Sequence, residues 1–123
     1  MMPKPTVERF YGIPYCSTCQ KAEQHLKDAG IRIRHYVNVK EEKVSKGDLQ
    51  ELCKLAGGVE KIFSKRAMKY RAWGLDKKKL SDDEMLDYMV EEYTFIKRPT
   101  IVTGDQKVLS GYSKKQYDAL IAE

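Results

Sequence analysis

Two thiols separated by two small hydroxyl residues, Cys16-Ser17-Thr18-Cys19, are the residues of this chain best suited to covalent chemistry. They close the stretch Tyr11-Gly12-Ile13-Pro14-Tyr15-Cys16-Ser17-Thr18-Cys19, where an apolar run gives way to a helical pattern. Upstream, Val7, Phe10 and Tyr11 lie in a short β-favouring run. Downstream, Ala22, Leu26 and Ala29 recur at helical spacing, and Gly30 supplies a stop signal. A strand–loop–helix transition of this kind aims the sulfurs at the first unpaired N–H groups of the helix, where partial positive charge favours a thiolate. Cys16 is therefore the expected nucleophile. A free thiol titrates near ~8.5, and such settings lower that value. Pro14 stiffens the turn and cannot extend the strand as a ladder donor. The pair reads as a redox or nucleophilic thiol site. A zinc site would need four ligands; Cys53 stands alone and His25 and His35 are unpaired in sequence, so no metal is expected.

The elements around that site must come from a chain of 123 residues, long enough for one core and not for two independent ones. Charged residues make up 33% and hydrophobic ones 41%, the balance of a globular protein rather than a disordered or membrane one. No apolar run approaches the roughly 18 residues of a membrane helix, and Met1-Met2-Pro3-Lys4-Pro5 has no hydrophobic signal region. A cytoplasmic monomer is expected. Three cysteines, an odd number, argue against a structural disulfide framework. In a reducing compartment, Cys-x-x-Cys then means catalysis, redox sensing or metal. The net charge of +5 is modest but uneven. Glu60 to Lys79 holds eight basic and two acidic residues, whereas Ser81 to Glu92 holds six acidic and none basic. A basic face could attract an anionic substrate or an acidic partner; two surface helices of opposite sign explain the pattern equally well. Nothing resembles a recognition helix or zinc finger, so direct nucleic-acid binding is not expected.

In chain order, a strand at about Val7 to Tyr11 feeds the cysteine loop and the first helix. Ile31, Ile33, His35 and Val37 alternate with Arg32, Arg34 and Tyr36, which predicts a strand parallel to the first. From about Lys40 to Ile96 the pattern is helical. Ser45 with Asp48 starts one helix, whose stripe of Leu49, Leu52, Cys53 and Ala56 makes Cys53 a core thiol. Gly57-Gly58 ends it. A second helix is predicted over Ser64 to Trp73, ending at Gly74. A third is capped by Ser81 with Glu84 and turns Met85, Tyr88 and Met89 inward; Trp73 is also assigned to the core. Thr100 to Thr103 and Lys107 to Leu109 read as a hairpin turning at Gly104-Asp105. Ser113 with Gln116 caps a last helix bearing Tyr117, Leu120 and Ile121. The order is β-α-β, a helical insert, then β-β-α.

That order, with Cys-x-x-Cys at the first helix and a proline opening the third strand, resembles the thioredoxin/glutaredoxin fold. More narrowly, the sequence resembles the ArsC/Spx family of glutaredoxin-coupled arsenate reductases and Spx-type relatives. The likeness rests on Tyr11 to Cys19, Ile62-Phe63-Ser64-Lys65-Arg66, Tyr70 to Leu75, the acidic helix after Ser81, and Phe95-Ile96-Lys97-Arg98-Pro99-Thr100-Ile101-Val102. It implies an α/β, thioredoxin-like fold with a mixed four-stranded sheet: a single domain, 1–123, with its core at about 5–39 and 97–123 and a helical insert at about 40–96. It also implies a cis Pro99 beside the active cysteine. The implied chemistry is that of a thiol–disulfide oxidoreductase. Cys16 is the nucleophile and Cys19 the resolving thiol, the two forming a redox disulfide. Arg98 and Arg66 stabilise anion or thiolate, and Ser17, Thr18, Arg98 and Pro99 surround the bound group. No cofactor is implied; glutathione, glutaredoxin or thioredoxin would donate electrons. In arsenate reductases a basic residue falls where Ser64 stands here and another where Gly111 stands, and Cys19 is generally lacking; Spx-like members carry both cysteines. The alternatives implied are therefore a glutathione- and glutaredoxin-dependent arsenate reductase, and an Spx-like redox sensor that binds RNA polymerase, in which Gly58 matches the glycine at the polymerase contact.

Overall fold

A computed structural model of the chain describes residues 5–122. Most of the first five residues, on which the reading of the N-terminus rests, lie outside that range. The strands are β1 (Val7–Gly12), β2 (Tyr36–Asn38), β3 (Thr100–Thr103) and β4 (Val108–Ser110). The helices are α1 (Ser17–Asp28), α2 (Lys46–Ala56), α3 (Met68–Ala72), α4 (Asp82–Glu91) and α5 (Lys114–Ile121), with short 3-10 turns at Val59–Lys61, Leu75–Lys77 and Tyr93–Phe95. The chain divides into two compact units, one formed by Met1–Glu42 with Arg98–Glu123 and the other by Lys43–Lys97.

The first unit is built on a mixed four-stranded sheet in the order β2-β1-β3-β4. β1 runs parallel to β2, with Phe10 opposite Tyr36 and Gly12 opposite Asn38. It runs antiparallel to β3, with Phe10 opposite Ile101 and Tyr11 opposite Thr100. β3 and β4 form the expected hairpin. Val7 and Phe10 of β1, Ile101 of β3, Cys19, Ala22 and Leu26 of α1, and Tyr117 and Leu120 of α5 gather into one apolar cluster. The helical spacing of the α1 and α5 residues is what lets each present one buried stripe to it.

The second strand is shorter than the alternation of Ile31 to Val37 predicts. Over residues 31–35 the backbone is tied to β1 without regular pairing: Val7 N–H donates to Arg32 O at 3.0 Å, Arg34 N–H to Val7 O at 2.8 Å, and Phe10 N–H to His35 O at 2.9 Å. Regular strand begins only at Tyr36, and the expected faces change with it. His35 is exposed, whereas Tyr36 is half-buried with its ring stacked on Phe10 at 4.9 Å.

In the Lys43–Lys97 unit, local rules set the helix ends. Ser45 Oγ accepts from Asp48 N–H at 3.1 Å to start α2, and Gly57, at φ 93°, ends it in the left-handed region that only glycine adopts freely. Ser81 and Glu84 form the full reciprocal capping box of α4. Each such cap contributes about 1 kcal/mol. Leu49, Leu52 and Cys53 are buried, as are Met85 and Met89, while Tyr88 is half-buried. The acidic α4 is met by Lys46, whose ammonium reaches Asp83 at 2.8 Å and Asp87 at 2.9 Å; beyond the helix, Lys69 pairs with Glu92. The sign segregation of the sequence therefore serves, in part, ion pairing inside this unit.

Two expectations fail here. α3 starts at Met68, not Ser64, because Ser64 N–H donates instead to Phe95 O at 2.7 Å, Phe63 bridges Ile96, and Lys65-Arg66 turn. Trp73 is not core: it is 39% exposed, flanked by Tyr88 and Phe95 and faced by the Lys69 ammonium, because the five-residue α3 buries none of its own side chains. Among the described residues no helix is long and apolar enough to cross a membrane.

Candidate active site at the start of the first helix

Cys16 is the N-cap residue of α1, in extended conformation (φ −80°, ψ 122°), with Ser17 and Thr18 exposed in the first helical turn and Cys19 directly behind them. The loop that delivers it is braced. Cys16 N–H donates to Ile13 O at 3.1 Å, and Gln20 Nε2 reaches back to Pro14 O at 2.8 Å. No acidic residue sits in the first turn of α1, so nothing there competes for the positive end of its dipole.

All three cysteines are free thiols. Cys16 is half-buried and Cys19 fully buried. The two environments split them in opposite directions. Burial pushes the Cys16 thiol upward, but the Cys19 amide, the Cys19 thiol, the Thr18 amide and the Arg98 guanidinium together outweigh it and hold Cys16 below its ordinary value. The sulfur makes no close cap hydrogen bond among the described residues, so the amides act on it as oriented dipoles rather than as ideal donors. Cys19 is pushed up to about 12, first by burial and then by its hydrogen bond to Cys16 and that sulfur's charge, with the Ile13 backbone and Arg98 opposing. One thiol is thus disposed to ionise and its neighbour to keep its proton.

Arg98 and the buried Pro99 come from the approach to β3. Thr100 pairs with Tyr11, so the step just before it falls alongside the end of β1, where the cysteine loop begins. Arg98 is near enough to bias both sulfurs. The Arg98–Pro99 bond is cis, as the resemblance implies, and Pro99 O accepts from Gly111 N–H at 2.7 Å. Cys16, Ser17, Thr18, Cys19, Arg98 and Pro99 therefore share one unit. Arg66 belongs to the other, on an exposed turn, as do Ser64 and Gly58. Cys53, also in that unit, is a buried thiol pushed up to about 11 by burial and by the carboxylates of Asp82 and Glu60, which makes it unreactive.

Sequence reasoning passed over two residues of the site. Gly12 leaves no room for a side chain: a Cβ there would lie 2.7 Å from Phe10 Cε1, 3.0 Å from Tyr36 Oη and 3.1 Å from Cys19 Sγ. Tyr36 is the second, its hydroxyl buried on the same small volume as the Cys19 sulfur. Its only sequence signal is a large aromatic on the nominally polar side of a strand. A separate cluster ties α1 to α5: His25 bonds Tyr112 Oη through Nδ1 at 2.7 Å and Asp118 Oδ1 through Nε2 at 2.8 Å. Among the described residues no group of three or more His, Cys, Asp and Glu side chains is arranged to hold a metal ion.

The family model for the ArsC family matches residues 11–120. The uncharacterized protein YusI of Bacillus subtilis (strain 168) is 34% identical over 112 residues, which covers 89% of this chain and 93% of the relative. The global transcriptional regulator Spx 1 of Lactococcus lactis subsp. lactis (strain IL1403) is 26% identical, covering 91% and 87%. An Escherichia coli arsenate reductase is 28% identical, covering 76% and 67%. Among solved structures, a crystal structure of an ArsC-family-related protein from Bacteroides fragilis superposes with a TM-score of 0.78 at 26% identity, covering 96% of this chain and 98% of that one.

Proposed function

This chain belongs to the ArsC family, and from that premise we propose that it is a thiol–disulfide oxidoreductase working through Cys16 and Cys19. The observation that carries the reading is the opposed bias of two sulfurs in one helical turn, Cys16 drawn toward the thiolate and Cys19 held as the thiol. An exchange cycle needs that asymmetry. Cys16 thiolate attacks a substrate disulfide; a bond forms between Cys16 Sγ and one substrate sulfur, and the other leaves as a thiolate. In the mixed disulfide Cys16 carries no charge, so two of the influences that raise Cys19 disappear. Cys19 then gives up its proton and attacks Cys16 Sγ, and the second substrate sulfur leaves with its electron pair. The products are a Cys16–Cys19 disulfide and two substrate thiols. Two electrons from glutathione, glutaredoxin or thioredoxin in a reducing cytoplasm restore the dithiol. Arg98 stabilises the Cys16 thiolate and any anionic group bound against Ser17 and Thr18. Arsenate is the weaker substrate reading, because Ser64 and Gly111 stand where the family's arsenate reductases carry further basic residues, and a resolving thiol is present.

Mass spectrometry after oxidised glutathione tests the proposal. The parent should end as a Cys16–Cys19 disulfide, Cys19→Ser should keep a glutathione adduct on Cys16, and Cys16→Ser should take none. If Cys16→Ser consumed oxidised glutathione as the parent does, the assignment would be wrong. An adduct on Cys16 that formed only when arsenate accompanied reduced glutathione would turn the reading toward arsenate reduction.

A second reading uses the same disulfide as a switch. The similarity to Spx 1 along most of the chain, and a glycine at position 58 held at φ 154° where a side chain is rarely tolerated, support a regulator that contacts RNA polymerase. Co-purification with polymerase only after oxidant, and its loss in Cys16→Ser, is the expected result; no co-purification in either state rejects it.

A further inference from the structure

Tyr36 places a buried hydroxyl beside the resolving thiol, with the Glu23 carboxylate as the nearest rival claim on its proton. Its oxygen is buried and has no hydrogen-bond partner among the described residues. A buried hydroxyl with no partner at bonding distance is destabilising, so its persistence calls for a use. Tyr36 Oη and Cys19 Sγ both lie within about 3 Å of one point, the vacant Cβ position of Gly12. Gly12 is the last residue of β1, Tyr36 opens β2, and Phe10, opposite Tyr36 in the register, stacks on its ring. The strand pairing therefore fixes the ring, and the missing side chain at Gly12 leaves the hydroxyl and the sulfur facing one gap.

We propose that Tyr36 is a second hydrogen-bond donor to the resolving sulfur, beside the Ile13 backbone, its O–H turning onto Cys19 Sγ when that sulfur becomes a thiolate. This inference rests on the reading of Cys16 and Cys19 as an exchange pair. The hydroxyl is well suited to donate, because burial, the Glu23 carboxylate and the two cysteines all hold it in its neutral form. Other groups act on the same sulfur or on the tyrosines beside it: the Ile13 backbone and Cys16, on the loop leading into α1; Arg98, before β3; Glu23, on α1, which acts on the Tyr36 hydroxyl; and Tyr117, on α5, which feels the Cys19 charge. Tyr117 is also kept neutral, by burial and by the Cys19 charge. The donor acts in the second exchange step only. There Cys19 loses a proton to solvent, its sulfur bonds to Cys16 Sγ, and the Cys16–substrate bond breaks with its electron pair on the leaving sulfur. The first step, attack by Cys16, does not need it.

The two steps separate with the aromatic disulfide 5,5′-dithiobis(2-nitrobenzoate), which releases one coloured thiolate when Cys16 attacks and a second when Cys19 resolves. In stopped flow, Tyr36→Phe keeps the ring on Phe10 and removes only the donor. Hydrogen bonds to charged groups contribute about 1.5–3 kcal/mol, so the ratio of second to first release rate should fall about tenfold or more, with the pH midpoint of the second release moving upward. Incorporating 3-fluorotyrosine at position 36, a stronger donor, should raise that ratio, and this arm holds even where the Phe variant folds poorly. A ratio unchanged in both variants, or equal slowing of both phases, overturns the inference. The parent reading fails separately: if the second release persists in Cys19→Ser, or the first in Cys16→Ser, the exchange pair itself is wrong whatever Tyr36 does.

Discussion

Replacing Gly12 by alanine adds a single methyl group at the most crowded point of the site. Gly12 is extended strand, so the backbone tolerates any residue there and the whole cost is steric. Ordinary carbon contacts lie at about 3.5–4.0 Å. The new Cβ would meet Phe10 Cε1 at 2.7 Å, an overlap that the fully buried Phe10, stacked on Tyr36, has no room to relieve. It would also meet Tyr36 Oη at 3.0 Å and Cys19 Sγ at 3.1 Å. Overpacking a tight core typically costs about 1–3 kcal/mol. For a chain of this length 1 kcal/mol corresponds to roughly 3–5 °C, so a cost of about 2 kcal/mol lowers Tm by about 6–10 °C. Differential scanning calorimetry of the reduced protein measures it directly. Gly47→Ala in the same assay is the internal comparison. A Cβ at Gly47 meets only Ser45 Oγ at 4.0 Å, and a glycine within a helix is replaced by alanine at a gain of up to about 1 kcal/mol. The two substitutions should therefore shift Tm in opposite directions. A Gly12→Ala protein that melted with or above the parent would refute the reasoning that Gly12 is held by the sulfur, the hydroxyl and the Phe10 ring.

Two further outcomes follow from the electrostatics. Alkylation with iodoacetamide, followed by peptide mapping across pH, should label Cys16 with a midpoint below that of a free thiol and leave Cys19 unlabelled until well above it. Arg98→Gln should move the Cys16 midpoint upward, and equal labelling of the two thiols at neutral pH would contradict the assigned asymmetry. Cys53 links stability to alkaline pH. Its folded thiol is pushed up to about 11, above the free-thiol value, so the folded state prefers the proton; that contribution is complete below the free-thiol value and is lost as pH rises through about 11. Urea midpoints measured from pH 8 to 11 should fall less steeply in Cys53→Ala than in the parent, and parallel slopes would remove Cys53 from the account.

Much of this was readable because the signals were local. The end of a β-favouring run, Pro14, two sulfurs and the first apolar stripe of a helix lie within a few residues of one another, and each constrains the next. The caps at Ser45, Ser81 and Ser113 are equally local, since a hydroxyl need only reach an amide three residues on. The hairpin of β3 and β4 announces its own turn. What sequence could not supply depends on register. Tyr36 falls on the polar side of a period-two count, and only the irregular backbone of residues 31–35 followed by pairing with Phe10 turns it inward. Gly12 looks like any loop glycine until the Phe10 ring, the Tyr36 hydroxyl and the Cys19 sulfur are seen to converge on it. The late start of α3 has the same origin, a hydrogen bond from Ser64 to the distant Phe95. Trp73 was assigned to the core by residue type alone, and a helix of five residues was too short to bury it.

The order of strands in the sheet has a bearing on how the polypeptide is made. β1 is translated long before one of its two neighbours, β3, since Phe10 faces Ile101. Until then the nascent β1 offers an unzippered edge to whatever else carries one. Joining ends so far apart costs entropy only logarithmically, about 0.6 kcal/mol for each doubling of the intervening length. The Lys43–Lys97 unit, with its own capped helices, shortens that search further if it condenses early, because a compact body then takes the place of a long tether. Pairing β3 with β1 is also what brings Arg98 to the cysteines.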